Sequence, residues 1–144
     1  MELPKLEIND KDEGLCYGCG KDNPIGLKLQ FVNDEGVARA QFIPGLFHQG
    51  WSDVTHGGIL YALLDEAGGY ALLYGGMNYC VTAKSEVRFN SPARINEPMQ
   101  ISARITRKTS RLVETEAILS RQDGSIIATN FSIWYMAKRP NSQD

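Results

Sequence analysis

Two adjacent carboxylates, Asp65 and Glu66, sit inside the apolar stretch THGGILYALLDEAGG, which carries glycine pairs at Gly57–Gly58 and Gly68–Gly69. A carboxylate among apolar side chains is costly unless it is paired or takes part in a reaction. Ionised, it can act as a general base or a nucleophile. If the stretch is a helix, its N-terminus presents N–H groups with no intrahelical acceptor and about half a positive charge. Glycines at Gly57 and Gly58 would leave those amides open to a carbonyl or an oxyanion. The same glycines also suit a tight entry into the helix. Either acid also suits a salt bridge, Glu66 with an Arg or Lys from a strand.

Helical geometry separates the two acids. Asp65 shares a face with Gly58, Tyr61, Gly68, Gly69 and Leu72, whereas Glu66 lies about 100° round, beside Ile59, Ala62, Leu63, Tyr70 and Leu73. Gly57 and Asp65 are eight residues apart, or about 12 Å along one helix axis. A base and an oxyanion donor must both lie about 3 Å from the reacting centre, so one helix cannot supply both. Two antiparallel helices across a twofold axis can, and the glycine face would let them approach.

Other reactive residues form no complete set. Cys16 and Cys19 have Cys-x2-Cys spacing, which would suit half a zinc site. His48 and His56 are eight apart and Cys80 stands alone, so the second half is missing and a tight turn with buried thiols is the better reading. No Gly-x-Ser-x-Gly elbow accompanies the histidines. Phe47, Trp51, Tyr61, Tyr70 and Tyr74 could line a pocket. Core packing is favoured for Tyr61 and Tyr70, while Trp51 suits a pocket or the surface equally. The basic run RITRKTSR reads as a solvated hairpin tip, with phosphate contact as the sharper alternative.

The elements that must position these residues follow from periodicity. GLKLQFVND alternates as a strand, Asp34–Gly36 is a turn, and VARAQFIP alternates again to Pro44. A long polar and aromatic connection, GLFHQGWSDVTHGG, follows. The run from Gly57 to about Leu73 is rich in helix formers and apolar nearly all round, as in a core helix. Four strands come after it: YCVTAKSEVRFNSPA, PMQISARITRK, RLVETEAILSRQ and SIIATNFSIWYMAK, with turns at TSR and QDG. In the first of them Val81, Ala83, Ser85, Val87 and Phe89 alternate. The order predicts an α+β fold, an antiparallel sheet of five to six strands curled round one long central helix.

The 144 residues suit one domain over 1–144, with residues 1–15 a loose N-terminal arm. The net charge of −2 argues against a nucleic-acid partner. No apolar run is long enough to span a membrane, and the acidic N-terminus does not resemble a secretory signal. A cytoplasmic protein is expected.

HGGILYALLDEA, with an acid nine residues after its histidine, resembles the helix of hotdog-fold acyl-CoA thioesterases, in particular the phenylacetyl-CoA thioesterase-like group. CYGCGKDNPIGLKL is similar to the opening of many members, and VTAKSEVRFNSPA to the strand after the helix. The resemblance runs from Cys16 to Met136. It implies a hotdog fold, a homodimer or a tetramer of dimers, and hydrolysis of acyl-CoA, with no metal and no cofactor beyond the CoA of the substrate. Gly57 matches the backbone donor to the thioester carbonyl and Asp65 the carboxylate that activates water or attacks directly. Gln49 matches an amide that holds water or substrate, His56 the motif histidine that orients the loop, and Thr82 a hydroxyl near the thiol or the water. Gly58, Trp51 and Glu66 are expected at the substrate. Glu66 departs from the pattern by following Asp65 directly, and related enzymes use either acid. An acyl-CoA-binding module without turnover, or an acyl-CoA dehydratase or hydratase on the same fold, are the rival readings. The dehydratase would need an Asp–His pair that is not found.

Overall fold

The computed structural model describes residues 14–77 and 80–136. The arm expected over residues 1–15 lies outside them except for Gly14 and Leu15, as do Tyr79 and the chain beyond Met136. Six strands form one antiparallel sheet: β1 (Val32–Asp34), β2 (Val37–Phe42), β3 (Cys80–Phe89), β4 (Met99–Lys108), β5 (Leu112–Arg121) and β6 (Ile126–Met136), in the order β1-β2-β4-β5-β6-β3. One helix, α1 (Gly57–Tyr74), packs against β2 to β6. This is the hotdog arrangement. Among the described residues no helix is long and apolar enough to cross a membrane.

Local chemistry accounts for most element boundaries. The β1–β2 turn places Glu35 and Gly36 at φ 51° and 91°, the mirror-image turn that matches strand twist. Asn33 Oδ1 secures it by accepting from the Gly36 amide at 2.8 Å. The expected strand from Gly26 is shortened, because only Val32–Asp34 joins the ladder. Leu27 and Leu29 are buried as their alternation predicts, yet their amides donate to Tyr17 and Gly18 carbonyls. Lys28 between them takes a left-handed φ of 53°. The segment therefore pairs with the Cys-x2-Cys turn, not with the sheet.

The core lies between α1 and the sheet. Leu60, Leu63, Leu64, Ala67, Gly68, Ala71 and Leu72 form the buried stripe of the helix, at the spacing of one helical face. Buried residues facing it include Ala38, Ala40, Met99, Ile101, Ala117, Leu119 and Ile127. The helix is thus buried along a stripe and not round its whole circumference, and Leu73 is half exposed. The flank carrying Tyr70 is covered by the N-terminal segment, where the Phe31 ring stacks on Tyr70 with centroids 4.6 Å apart.

Gly68 sets how closely helix and sheet approach. A Cβ there would lie 2.8 Å from Trp134 Cζ2 and 3.2 Å from Thr115 Oγ1. Trp134 Nε1 donates to Thr115 Oγ1 at 2.8 Å, so the indole is held and cannot swing aside. Gly68 is therefore filled by the protein's own tryptophan, whereas a Cβ on Gly69 would meet nothing nearer than 3.9 Å. Gly68→Val is expected to lower stability by about 1–3 kcal/mol through overpacking, read from urea unfolding. Gly69→Ala, the control, should not lower it, since a Cβ fits there and alanine suits a helix interior better than glycine.

Candidate active site

Asp65 and Thr82 meet across the helix–sheet interface. Thr82 Oγ1 donates to Asp65 Oδ1 at 2.7 Å, although the residues are seventeen apart in sequence. A β-bulge makes the contact. Thr82 pairs with Trp134 and Lys84 with Ile133, so Ala83 is the extra residue in β3. Trp134 and Ser132 both face the core, and the residues opposite them, Thr82 and Ser85, face it too. Simple alternation would put Thr82 on the other side of the sheet from Ser85. The bulge turns it back towards α1.

Burial raises the Asp65 pKa and the hydrogen bond from Thr82 opposes the rise. Among the described residues no Arg or Lys pairs with this carboxylate. Tyr61, one turn earlier on α1, is tied down nearby by a chain of hydrogen bonds. Its hydroxyl donates to Ser85 Oγ at 2.9 Å, and Ser85 and Ser132 hydroxyls are 2.8 Å apart. Tyr61 therefore belongs to the packing of β3 on α1, as expected.

The helix N-terminus forms a second centre. His56 is the N-cap residue, and its Nδ1 accepts from the Gly58 amide at 2.8 Å. An accepting Nδ1 places the imidazole proton on Nε2. A Cβ on Gly58 would lie 3.0 Å from that Nδ1, so this glycine makes room for the cap. Its amide, expected at the substrate, is spent on His56. The Ile59 and Leu60 amides donate to the His56 carbonyl. Among the described residues the Gly57 amide has no acceptor, and a Cβ on Gly57 would meet only the Phe89 ring at 3.8 Å.

Gly57 opens onto a cleft of about 440 Å³ lined by Gly50, Trp51, Val54, Thr55, His56 and Gly57. Trp51 is at its rim, 87% exposed. Gln49 lies in the same connection, its Oε1 accepting from the Asp53 amide at 3.1 Å and its backbone bridging to Thr55. Thr55 was not singled out by sequence reasoning. It is buried, it lines the cleft, and its hydroxyl has no partner among the described residues. Its place directly before the His-Gly-Gly motif was the available signal.

Several expected residues fall elsewhere. Glu66 lies against the Cys-x2-Cys turn: its Oε1 accepts from Cys16 Sγ at 3.6 Å, and a Cβ on Gly18 would overlap its carboxylate. The partner is a loop fifty residues upstream, not a strand cation. His48 Nδ1 accepts from the Gly45 amide at 2.8 Å, so both histidines serve as backbone acceptors and neither forms a triad. Burial raises the Cys80 thiol, with Lys108 opposing, which disfavours a thiolate nucleophile.

Comparison with known proteins places this geometry in a family. The sequence model of the thioesterase superfamily matches residues 53–128, and the chain belongs to that superfamily. One similar solved structure is a thioesterase superfamily protein at 22% identity and TM-score 0.76, covering 80% of this chain and 60% of that one. PaaI of E. coli, from the phenylacetic acid degradation operon, is similar at 18% identity and TM-score 0.72, covering 78% of this chain and 82% of its own. A hypothetical thioesterase of Streptococcus pneumoniae TIGR4, solved with coenzyme A, is similar at 14% identity and TM-score 0.71, covering 78% and 91%. That protein has also been solved as an aspartate-to-alanine mutant and as a threonine-to-alanine mutant. The chain thus spans less than two thirds of the first of these structures. No curated protein matches the sequence.

The raised Asp65 pKa has a consequence for stability. The folded chain favours the neutral acid, so this group stabilises the fold below its ordinary value of 3.8. That stability is lost as pH rises through the raised folded value. At neutral pH the buried charge is a liability that an amide lacks. Asp65→Asn should therefore melt higher than wild type at neutral pH. The gain should shrink as the pH falls towards 3.8, as followed by thermal unfolding across a pH series.

Proposed function

We propose that the protein hydrolyses acyl-CoA thioesters to a free acid and CoA at a composite site shared by two subunits of a homodimer. Dimers of this kind could further pair into a tetramer. The observation that carries the reading is the desolvated Asp65 carboxylate held by Thr82 at 2.7 Å without a cation. A structural purpose would favour a paired or neutral group at this place. The open Gly57 amide at the mouth of the cleft supplies the complementary electrophilic element. Support also comes from superfamily membership and from coenzyme A bound to a protein of the same fold.

In this reading the thioester carbonyl accepts a hydrogen bond from the Gly57 amide of one subunit. Asp65 of the other, with Oδ1 engaged by Thr82, acts through Oδ2. As general base it takes a proton from water while the water oxygen bonds to the carbonyl carbon. Collapse of the tetrahedral intermediate breaks the C–S bond, and the proton passes from Asp65 to the leaving sulfur. As nucleophile Asp65 would attack the carbonyl carbon, and the C–S bond would break to release CoA as thiolate. Water would then open the mixed anhydride, freeing the acid, restoring Asp65 and supplying the proton that the thiolate takes up. Both routes need the same ionised group. In the same reading Gln49, through its Nε2, and Thr55 would hold water or substrate near the cleft, and Trp51 would cover an acyl chain. His56 acts through the cap that fixes the α1 N-terminus. The chemistry asks for no metal and no organic cofactor.

The pH–rate profile follows from the carboxylate. Activity should rise with pH as Asp65 ionises. Thr82→Val removes the hydrogen bond that favours the charged form, so the acid limb should move to higher pH with the plateau retained in part. An unmoved limb would detach Thr82 from the reacting carboxylate.

Mixed dimers test the shared site. Asp65→Asn cannot act as base or nucleophile, and Gly57→Pro deletes the amide donor, a loss worth about 10²–10³ in turnover. Proline is tolerated at the first helical position. His56, at φ −61° and ψ 135°, already has the conformation that precedes proline. Each variant alone should be nearly inactive towards acyl-CoA in a thiol-release assay. Refolded together, about half the dimers should be mixed and each should hold one intact site, restoring about a quarter of wild-type activity. Demonstrated heterodimers without activity would rule out the composite site.

A further inference from the structure

We infer that Cys16, Cys19 and Glu66 form a zinc site that pins the N-terminal segment to the central helix. The potential ligand atoms of the three side chains lie within 4.8 Å of one another. Zn–S bonds of about 2.3 Å and Zn–O bonds of about 2.0 Å imply tetrahedral S···O edges of about 3.5 Å. The Cys16 Sγ to Glu66 Oε1 distance is 3.6 Å. The Cys16–Glu66 edge is thus at tetrahedral spacing, the Cys19 ligand atom lies within 4.8 Å of both, and a fourth position would take water.

The surroundings are shaped for such a centre. The Cys19 amide donates to Cys16 Sγ at 3.5 Å, and the Gly20 amide to the Cys16 carbonyl at 2.9 Å. The Cys19 N–H aimed at the sulfur would stabilise a metal-bound thiolate, and the Gly20 bond to the carbonyl holds the turn that aims it. Glycine at Gly18 lets the Glu66 carboxylate rise against the turn, since a Cβ would overlap it. The Tyr70 hydroxyl lies beside the Cys19 thiol, and its ring is fixed by stacking on Phe31. Among the described residues no Lys or Arg pairs with Glu66, so a cation would complete a half-buried acid that the protein leaves without one. Binding releases the two thiol protons as the Zn–S bonds form, and the metal keeps its oxidation state. Leu27 and Leu29 are tied to the same turn by backbone bonds, so the metal would lock this whole segment onto α1.

The test reads metal, not turnover, and is independent of the thioesterase reading. The full chain, made without a metal-binding tag and kept reduced, is equilibrated with Zn²⁺, desalted, and assayed for zinc by mass spectrometry. About one equivalent per chain is expected, and removing it with a chelator should lower the melting temperature. Cys80→Ser should retain the metal. Cys16→Ser and Cys19→Ser should lose it, and Glu66→Gln should weaken binding by about 10-fold or more. Co²⁺ in place of zinc should give thiolate charge-transfer absorption and tetrahedral visible bands, a readout on wild type that stands even if a variant fails to fold. Wild type retaining no zinc, or a Co²⁺ adduct without the thiolate band, would overturn the inference. So would metal loss in Cys80→Ser, or a Cys16–Cys19 disulfide in place of metal uptake.

Discussion

The structure turns on a carboxylate set where water is scarce. Asp65 lies midway along α1, beside the stripe that faces the sheet, and its charged form is disfavoured there by desolvation. One short hydrogen bond from Thr82 offsets part of that cost. The bond exists because β3 takes in one extra residue at Ala83, which returns Thr82 to the helix side. The close seat of α1 on the sheet, permitted by Gly68 against Trp134, is what brings the two within reach. Bulge, glycine and tryptophan together position one carboxylate.

The N-terminus of α1 depends on backbone chemistry. A helix start leaves amides unclaimed, and His56 claims that of Gly58, while Gly57 lines the cleft and its amide has no acceptor among the described residues. The two glycines of one motif therefore differ in their surroundings: Gly58 makes room for an imidazole and Gly57 lines the cleft. His48 repeats the device eight residues earlier, accepting from the Gly45 amide. Both rings act as rigid pieces of loop architecture, which explains why neither joins Asp65.

Much of the fold could be read from periodicity. The helix over Gly57–Tyr74 and the four strands after it follow from runs of helix formers and from alternation broken by Pro92, Thr109–Arg111 and Gln122–Gly124. Asp65 stood out because a charge in an apolar helix needs a reason. Features that depend on distant partners were not legible. Nothing in VTAKSE marks Ala83 as a bulge, because the extra residue is defined only by its pairing with β6. Leu27 and Leu29 alternate like strand residues, yet the bonds of their backbone go to a turn ten residues upstream. Glu66 could not be placed by spacing alone, since its neighbours come from the start of the described chain, fifty residues away. Gly68 looked like a contact for another helix and is filled by Trp134 instead.

The chain has two tryptophans, and the fold has put them in opposite surroundings. Trp134 is 5% exposed and hydrogen-bonded inside the core, whereas Trp51 is 87% exposed at the rim of the cleft. Their intrinsic fluorescence is therefore separable. Emission from the buried indole is blue-shifted and sheltered from aqueous quenchers, and it changes when α1 lifts from the sheet. Emission from the exposed indole is red-shifted and readily quenched, and it responds to whatever settles beside Gly57. The protein thus carries one optical probe of its folding and another of its cleft, with no label added.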